Sequence, residues 1–260
     1  MSTPKIHSTQ VFFEGLLEVR IFKSSAELAA CAAEHARVAI ADAIGRFGNA
    51  RLTVATGASQ FDFFKALVEE DIDWNKVDIF HLDEYIGMPG DHPASFRRYL
   101  RERFVDLVHP REFFTIRGEA PDPAEECRRY AALLSEREID VCVCGIGENG
   151  HLAFNDPPVA DFSDPVRMKV VELDEPCRRQ QFGEGWFASL DEVPRLALTQ
   201  TIPSLLAARL VLCVVPELRK APAVHATLRG PIATSCPASI MRWKRHAVLY
   251  LDADSASKLD

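Results

Sequence analysis

Short apolar runs rich in β-branched residues alternate with longer stretches of helical spacing along most of this chain. "RLTVAT" (51–56), "KVDIFHLDEY" (76–85), "FFTIRG" (113–118), "IDVCVCGIG" (139–147), "RLVLCVV" (209–215) and "HAVLYLD" (246–252) read as strands. Between them, "ELAACAAEHARVAIADAIGRF" (27–47), "FDFFKALVEE" (61–70), "PASFRRYLRERFVDL" (93–107) and "PAEECRRYAALLSER" (123–137) read as helices. "RMKVVEL" (167–173) and "LALTQ" continue the alternation, with helices near 201–208 and 217–229. Strands separated by helices imply right-handed crossovers and therefore a mostly parallel sheet with helices on both faces. The expectation is one α/β domain with a doubly wound, Rossmann-like sheet. Segment 156–200 is richer in polar residues, and a lid is expected within it.

At 260 residues and 47% hydrophobic content, the chain can bury one large core. No apolar run reaches the roughly 20 residues that cross a bilayer, so no membrane association is expected. "MSTPKIHSTQ" (1–10) lacks the basic-then-apolar pattern of a signal peptide, and seven scattered cysteines argue against a disulfide framework. The cytoplasm is the expected compartment. Cys142 and Cys144, two apart in a strand-like run, are expected on opposite faces and so not as a chelating pair. The net charge of −8 and the lack of a basic stripe argue against nucleic acid. A small anion would need a local site, such as a helix start with one or two cations. Oligomeric state is left open, homo-oligomers included.

Ligands of doubly wound sheets bind beyond the carboxyl ends of strands, which singles out three strand ends. The first is "VATGASQ" (54–60), where Thr56, Gly57, Ala58 and Ser59 precede a helix. Exposed backbone N–H groups and hydroxyls there would suit an anion, although the local pattern by itself favours an ordinary turn with Ser59 as N-cap. The second is "HLDEYIGMPGDHPASF" (81–96), where Asp83 and Glu84 follow an apolar run. A carboxylate at that edge, partly desolvated, is suited to proton abstraction; the alternative is that one of the acids caps a loop. The third is "CGIGENGHLAFNDP" (144–157). Its glycines permit close approach of backbone to ligand, His151 is a residue able to exchange protons, and Asn149, Asn155 and Asp156 could hold its ring or bind sugar hydroxyls; a buried structural histidine is the other reading. The GxGxxG spacing of "GIGENG" is a weak dinucleotide signal, because it sits mid-chain without the acidic residue expected about 20 residues on. Finally, "PELRKAPAV" (216–224) puts Arg219 and Lys220 at a helix start, a conflict with the macrodipole that an anionic ligand would relieve; a solvated surface pair is the other reading.

Taken together and in this order, "ATGAS", "LDEYIGMPGDHPASF", "GIGENGHLAFNDP" and "ALTQTIPSLLAARLVLCVVPELRKA" resemble the glucosamine-6-phosphate deaminase/isomerase family from about residue 20 to 252. The resemblance implies conversion of glucosamine 6-phosphate and water to fructose 6-phosphate and ammonia, without metal or organic cofactor. It implies Asp83 as the base that moves a proton between C2 and C1, and His151 as the group that opens the sugar ring. Thr56, Gly57, Ala58, Ser59 and Lys220 would hold the phosphate.

Departures from the family pattern bear on the chemistry. Asn149 stands where the family usually has Asp, Asp156 where it has Glu, and Ala58 and Ser59 where the loop has Gly and Thr. His151 is therefore expected to rely on Asp156, and Asn149→Asp to preserve or raise turnover. The sugar-clamping arginine of the family does not align cleanly with "CRRQQFGEGWF"; Arg178 is the candidate, with Arg179 beside it. Two rivals accompany this reading. One is a 6-phosphogluconolactonase-type hydrolase, whose Gly-His segment usually continues toward Ser-Leu-Phe-Pro. The other is a non-catalytic sugar-phosphate sensor.

Overall fold

The computed structural model describes residues 8–259. Residues 1–7, which carry most of the N-terminal pattern read above, lie outside that range. In chain order, the N-terminal half runs β1 Gln10–Glu14, β2 Leu17–Phe22, α1 Ser25–Phe47, β3 Ala50–Val54, α2 Phe61–Val68, β4 Val77–His81 and β5 Asp83–Tyr85. It continues with α3 Phe96–Leu100, α4 Asp106–Val108, β6 Glu112–Phe114, α5 Pro123–Ser135 and β7 Val141–Cys144. The remainder comprises β8 Met168–Glu172, α6 Glu175–Gly183, β9 Leu196–Gln200, α7 Ile202–Leu205, β10 Leu210–Val215, α8 Ala221–Arg229 and β11 Ala247–Asp252.

Eight strands form the main sheet in the order β1-β2-β11-β10-β7-β3-β4-β6. Every pairing is parallel except β1 with β2, the antiparallel edge. Both faces are covered, which is why the central strands read as unbroken apolar runs. On one face α1 and α2 pack through Leu28, Ala32, Ala36, Ile40, Phe63 and Phe64. On the other, α5, α7 and α8 contribute Tyr130, Leu134, Leu205, Val224 and Leu228. The alanine stripe lets α1 lie close to the sheet. The helix starts at Ser24, whose side chain accepts from Glu27 N while Glu27 Oε2 accepts from Lys23 N, a reciprocal cap.

From β3 the chain moves outward to β4 and β6, then returns through β7 to the opposite side of β3. The switch point of the sheet therefore lies between β3 and β7, where loops leaving the strand ends diverge and open a crevice.

Several sequence expectations need correction. "KVDIFHLDEY" is two strands: β4 ends at His81, and β5 leaves for a separate antiparallel sheet, β5-β9-β8. Of the strand expected at 113–118 only Phe113 and Phe114 are extended, within β6, and the helix near 201–208 shortens to Ile202–Leu205. Cys142 and Cys144 face the same side of the sheet, in one cluster with Cys213. A strand has a period of two, so residues i and i+2 share a face; the expectation of opposite faces miscounted that period. The described cysteines are all free thiols.

Segment 156–200 supplies β8, α6 and β9, and has a small core of its own. Val171, Leu173, Cys177, Phe187 and Val193 close over Tyr85, Met88 and Phe154. No helix among the described residues is long and apolar enough to cross a membrane.

Candidate active site

An open cleft lies at the switch point. The ends of β3, β4, β7 and β10 each send a residue into it, and α6 covers one side.

After β3, Ala55 N still donates to Val143 O at 2.8 Å, and the chain then turns away. Gly57 makes the turn at φ +106°, a region closed to most side chains. Its carbonyl accepts from Gln60 N at 3.1 Å and from Tyr99 OH at 2.8 Å, which fixes the loop. Thr56, Gly57 and Ser59 line the cleft, whereas Ala58 opens a short 3-10 turn and is not among the lining residues. Ser59 caps no helix; Gln60 Nε2 donates to its hydroxyl at 3.3 Å.

Lys220 follows β10 and is only 3% exposed. Among the described residues no carboxylate lies within 4.0 Å of its ammonium. Burial, with Arg219 beside it, brings its pKa down to about 8. Arg219 itself is spent: its guanidinium pairs with Glu217 at 2.5 Å and Glu148 at 3.1 Å. Of the basic pair only Lys220 lines the cleft. Glu217, at φ +84°, holds the strained turn that carries it.

Asp83 enters from the β4–β5 junction and lines the cleft, while its neighbour does not. Glu84 is fully buried and accepts from Ser95 Oγ at 2.9 Å and from Phe96 N and Arg97 N at 3.2 Å each. It also pairs with Arg97 Nε at 3.2 Å. The loop-capping role weighed for one of the two acids thus falls to Glu84. Burial, then the nearby charges of Glu84 and Asp156, push the Asp83 carboxyl well above the ordinary carboxylate range. His81 holds the junction. Ile116 N donates to its Nε2 at 2.8 Å, so the ring carries its proton on Nδ1, which donates to Asp83 O at 2.9 Å. Burial drives the His81 pKa down to about 3, and the ring stays neutral.

The loop after β7 brings His151 to the cleft. Its ring lies against Gly147 so closely that a Cβ there would stand 2.1 Å from His151 Cε1. The glycine is needed for contact with the imidazole itself. His151 Nδ1 is 2.8 Å from Asp156 Oδ1. Burial works to raise the Asp156 carboxyl, but His151, Asn149 and Cys177 outweigh it, and the pKa falls below its usual value. Asn149 touches the imidazole's supports instead of the ring. Its Oδ1 accepts from His151 N at 3.1 Å, and its Nδ2 donates to Asp156 Oδ1 at 2.9 Å and Asp174 Oδ2 at 3.4 Å. Asp174 in turn caps α6 by accepting from Cys177 N at 2.8 Å. Asn149 therefore ties the histidine loop to the start of α6. Asn155 is internal, donating to Leu152 O and Gln200 O at 2.8 Å each.

His151, Asp156 and Cys177 each offer a donor atom within 4.8 Å of the others, the arrangement a metal would use. Burial and the Asp156 carboxylate hold the Cys177 thiol well above its ordinary pKa, so it is not the thiolate that metals take. The donor set fits an internal hydrogen-bonded cluster better than a metal centre.

Arg178 turns away from the cleft. Its guanidinium donates to Leu190 O at 2.6 Å and Val193 O at 3.0 Å, and Arg179 pairs with Glu175 on the surface. In their place α6 presents Gln180 and Gln181 to the cleft, and Glu184 follows directly after the helix. The sequence reading missed these three. A signal was there: Cys177, Gln181 and Glu184 recur at i, i+4 and i+7, one helical face, from which Arg178 is rotated by about 100°.

The fold and cleft define a class: an α/β enzyme with a small-molecule site at the switch point of a mostly parallel sheet. The family model described as glucosamine-6-phosphate isomerases/6-phosphogluconolactonase matches residues 23–250, and the chain belongs to that family. It is 35% identical over 206 residues to a glucosamine-6-phosphate deaminase of Exiguobacterium sibiricum, covering 79% of this chain and 80% of that one. A solved monomeric glucosamine-6-phosphate deaminase superposes with a TM-score of 0.83 at 32% identity, covering 92% of this chain and 99% of its own. A 6-phosphogluconolactonase from Shewanella baltica shares the fold at a TM-score of 0.75 and 18% identity, covering 90% and 96% of the two chains.

Proposed function

We propose that the chain converts glucosamine 6-phosphate, or a closely related amino sugar phosphate, and water to fructose 6-phosphate and ammonia. One observation carries this reading: the cleft holds two separate acid–base centres, Asp83 and the His151–Asp156 couple, with the buried Lys220 and the Thr56–Ser59 loop alongside. Lactone hydrolysis needs only one such centre, whereas ring opening followed by an aldose–ketose shift uses both.

Lys220, Thr56, Gly57 and Ser59 bind the phosphate. His151, oriented by Asp156, carries the proton that the C1 hydroxyl loses and the ring oxygen gains, and the sugar opens. Asp83 takes the proton from C2, leaving an enolamine, and returns a proton to C1. The C2 imine adds water and ammonia departs. A carboxylate of raised pKa is a stronger base than an exposed one, and the substrate's ammonium favours its ionised form. No step requires a metal or organic cofactor. Segment 156–200 acts as the lid, since α6 lines the cleft.

The test is ammonia release from a panel of amino sugar phosphates. Lactone hydrolysis without ammonia release would replace this reading with the hydrolase. Tight sugar-phosphate binding with no turnover would replace it with the sensor.

A further inference from the structure

The anion end of the cleft contains an anion of its own. Glu184 is the residue immediately after α6 and lines the cleft with Gly57, Ser59 and Lys220. Its carboxylate oxygens lie 3.7 and 3.9 Å from the point where a Cβ on Gly57 would stand. The side chain thus occupies the open side of the turn whose exposed backbone would meet a phosphate. Arg219 and Lys220 are the cations acting on it, joined by the like charge of Glu217.

Helix stability does not account for this placement. A carboxylate at a helix C-terminus faces the negative end of the macrodipole and is disfavoured there. Burial then pushes the Glu184 carboxyl above its ordinary pKa, against the pull of Arg219 and Lys220. What offsets those costs lies across the cleft. Lys220 is a buried ammonium with no carboxylate within 4.0 Å among the described residues, and Glu184 is the acid of the cleft wall that acts on it beside Arg219's partners.

We propose that Glu184 is the specificity-determining residue at the anion end of the cleft: an internal counter-ion to Lys220 that a substrate phosphate must displace. This rests on the amino sugar phosphate reading above. It gives the α6 segment a direct role in recognition. The same side chain that balances the Lys220 ammonium leaves when the phosphate arrives, and it lowers the cleft's preference for phosphorylated over unphosphorylated sugars.

The experiment compares the full-length protein with Glu184→Gln, and with Glu184→Ala as a second variant lacking the amide. Binding of inorganic phosphate is read by calorimetry near pH 7, and KM and kcat are measured with glucosamine 6-phosphate. Both variants should bind phosphate about tenfold tighter, the scale of one charge a few ångströms away in a partly screened site. KM for the phosphorylated sugar should fall by a similar factor with kcat little changed. Binding of unphosphorylated glucosamine should not tighten. Unchanged or weaker phosphate binding in both variants, an equal gain for unphosphorylated glucosamine, or no phosphate binding by any form would overturn the assignment. Phosphate tightening in variants of a protein that turns over no amino sugar phosphate would uphold Glu184 and reject the functional reading instead.

Discussion

Asp83 and Glu84 are adjacent in sequence, and the structure separates their roles completely. Glu84 accepts from a hydroxyl, two backbone N–H groups and a guanidinium, so it is committed to organising the start of α3. Asp83 keeps its carboxylate toward the cleft. Asp83→Asn preserves shape and removes basicity, so kcat should fall by at least about 10²–10⁴ with KM little affected. Loss of hydrogen exchange at C2 in deuterated water is the check; exchange at the wild-type rate would remove Asp83 as the base. As the base it must be ionised, and its pKa is raised. The rising limb of the kcat/KM profile, which reports the free enzyme, should therefore lie well above the ordinary carboxylate range, and activity should be lost as pH falls through it. Asn149 reverses the expectation drawn from sequence. Its amide donates to both Asp156 and Asp174, and an aspartate there would set a third carboxylate against two others. Asn149→Asp should lower turnover at neutral pH, with partial recovery on acidification. A variant as active as wild type at every pH would show that the clasp contributes nothing.

At the scale of elements, α6 is where sequence and structure part most. Its arginines invited a role in binding the sugar, yet Arg178 donates to carbonyls at 190 and 193. Those bonds tie the helix to the turn that leads into β9. Arg178→Ala should loosen segment 156–200, costing about 1–3 kcal/mol for the lost hydrogen bonds and the Val193 carbonyl left without its guanidinium partner. The expected signature is faster amide exchange across α6 together with a raised KM; unaltered exchange would show that the guanidinium is dispensable. β5 makes a related point. A strand that leaves the main sheet after His81 puts Asp83 at the start of the second sheet, opposite Thr199, and the neutral His81 ring grips the backbone there.

For the whole molecule, a net charge of −8 opposes any anionic substrate, and a local cation must overcome it. Lys220, buried in the cleft wall, is the candidate, and its pKa of about 8 gives the effect a direction. The ammonium is present below about pH 8 and lost above it, so KM for the sugar phosphate should rise as pH increases through that value. Lys220→Ala should weaken binding by roughly 1.5–3 kcal/mol at neutral pH and flatten that rise. A KM that ignores both changes would move the phosphate elsewhere. The alternation of strands and helices was legible in the sequence because apolar runs and helical stripes are local patterns, and local patterns follow from the geometry of one element. The three strand ends were legible for the same reason, since glycines and acids after an apolar run need no knowledge of partners. Which of Asp83 and Glu84 faces the cleft, where Arg178 points, and what Asn149 holds are decided by contacts between residues distant in sequence. The second sheet, the shared face of Cys142, Cys144 and Cys213, and the approach of Glu184 to Gly57 belong with them. Each depends on how separate elements meet, and packing between elements is fixed only when the whole chain has folded.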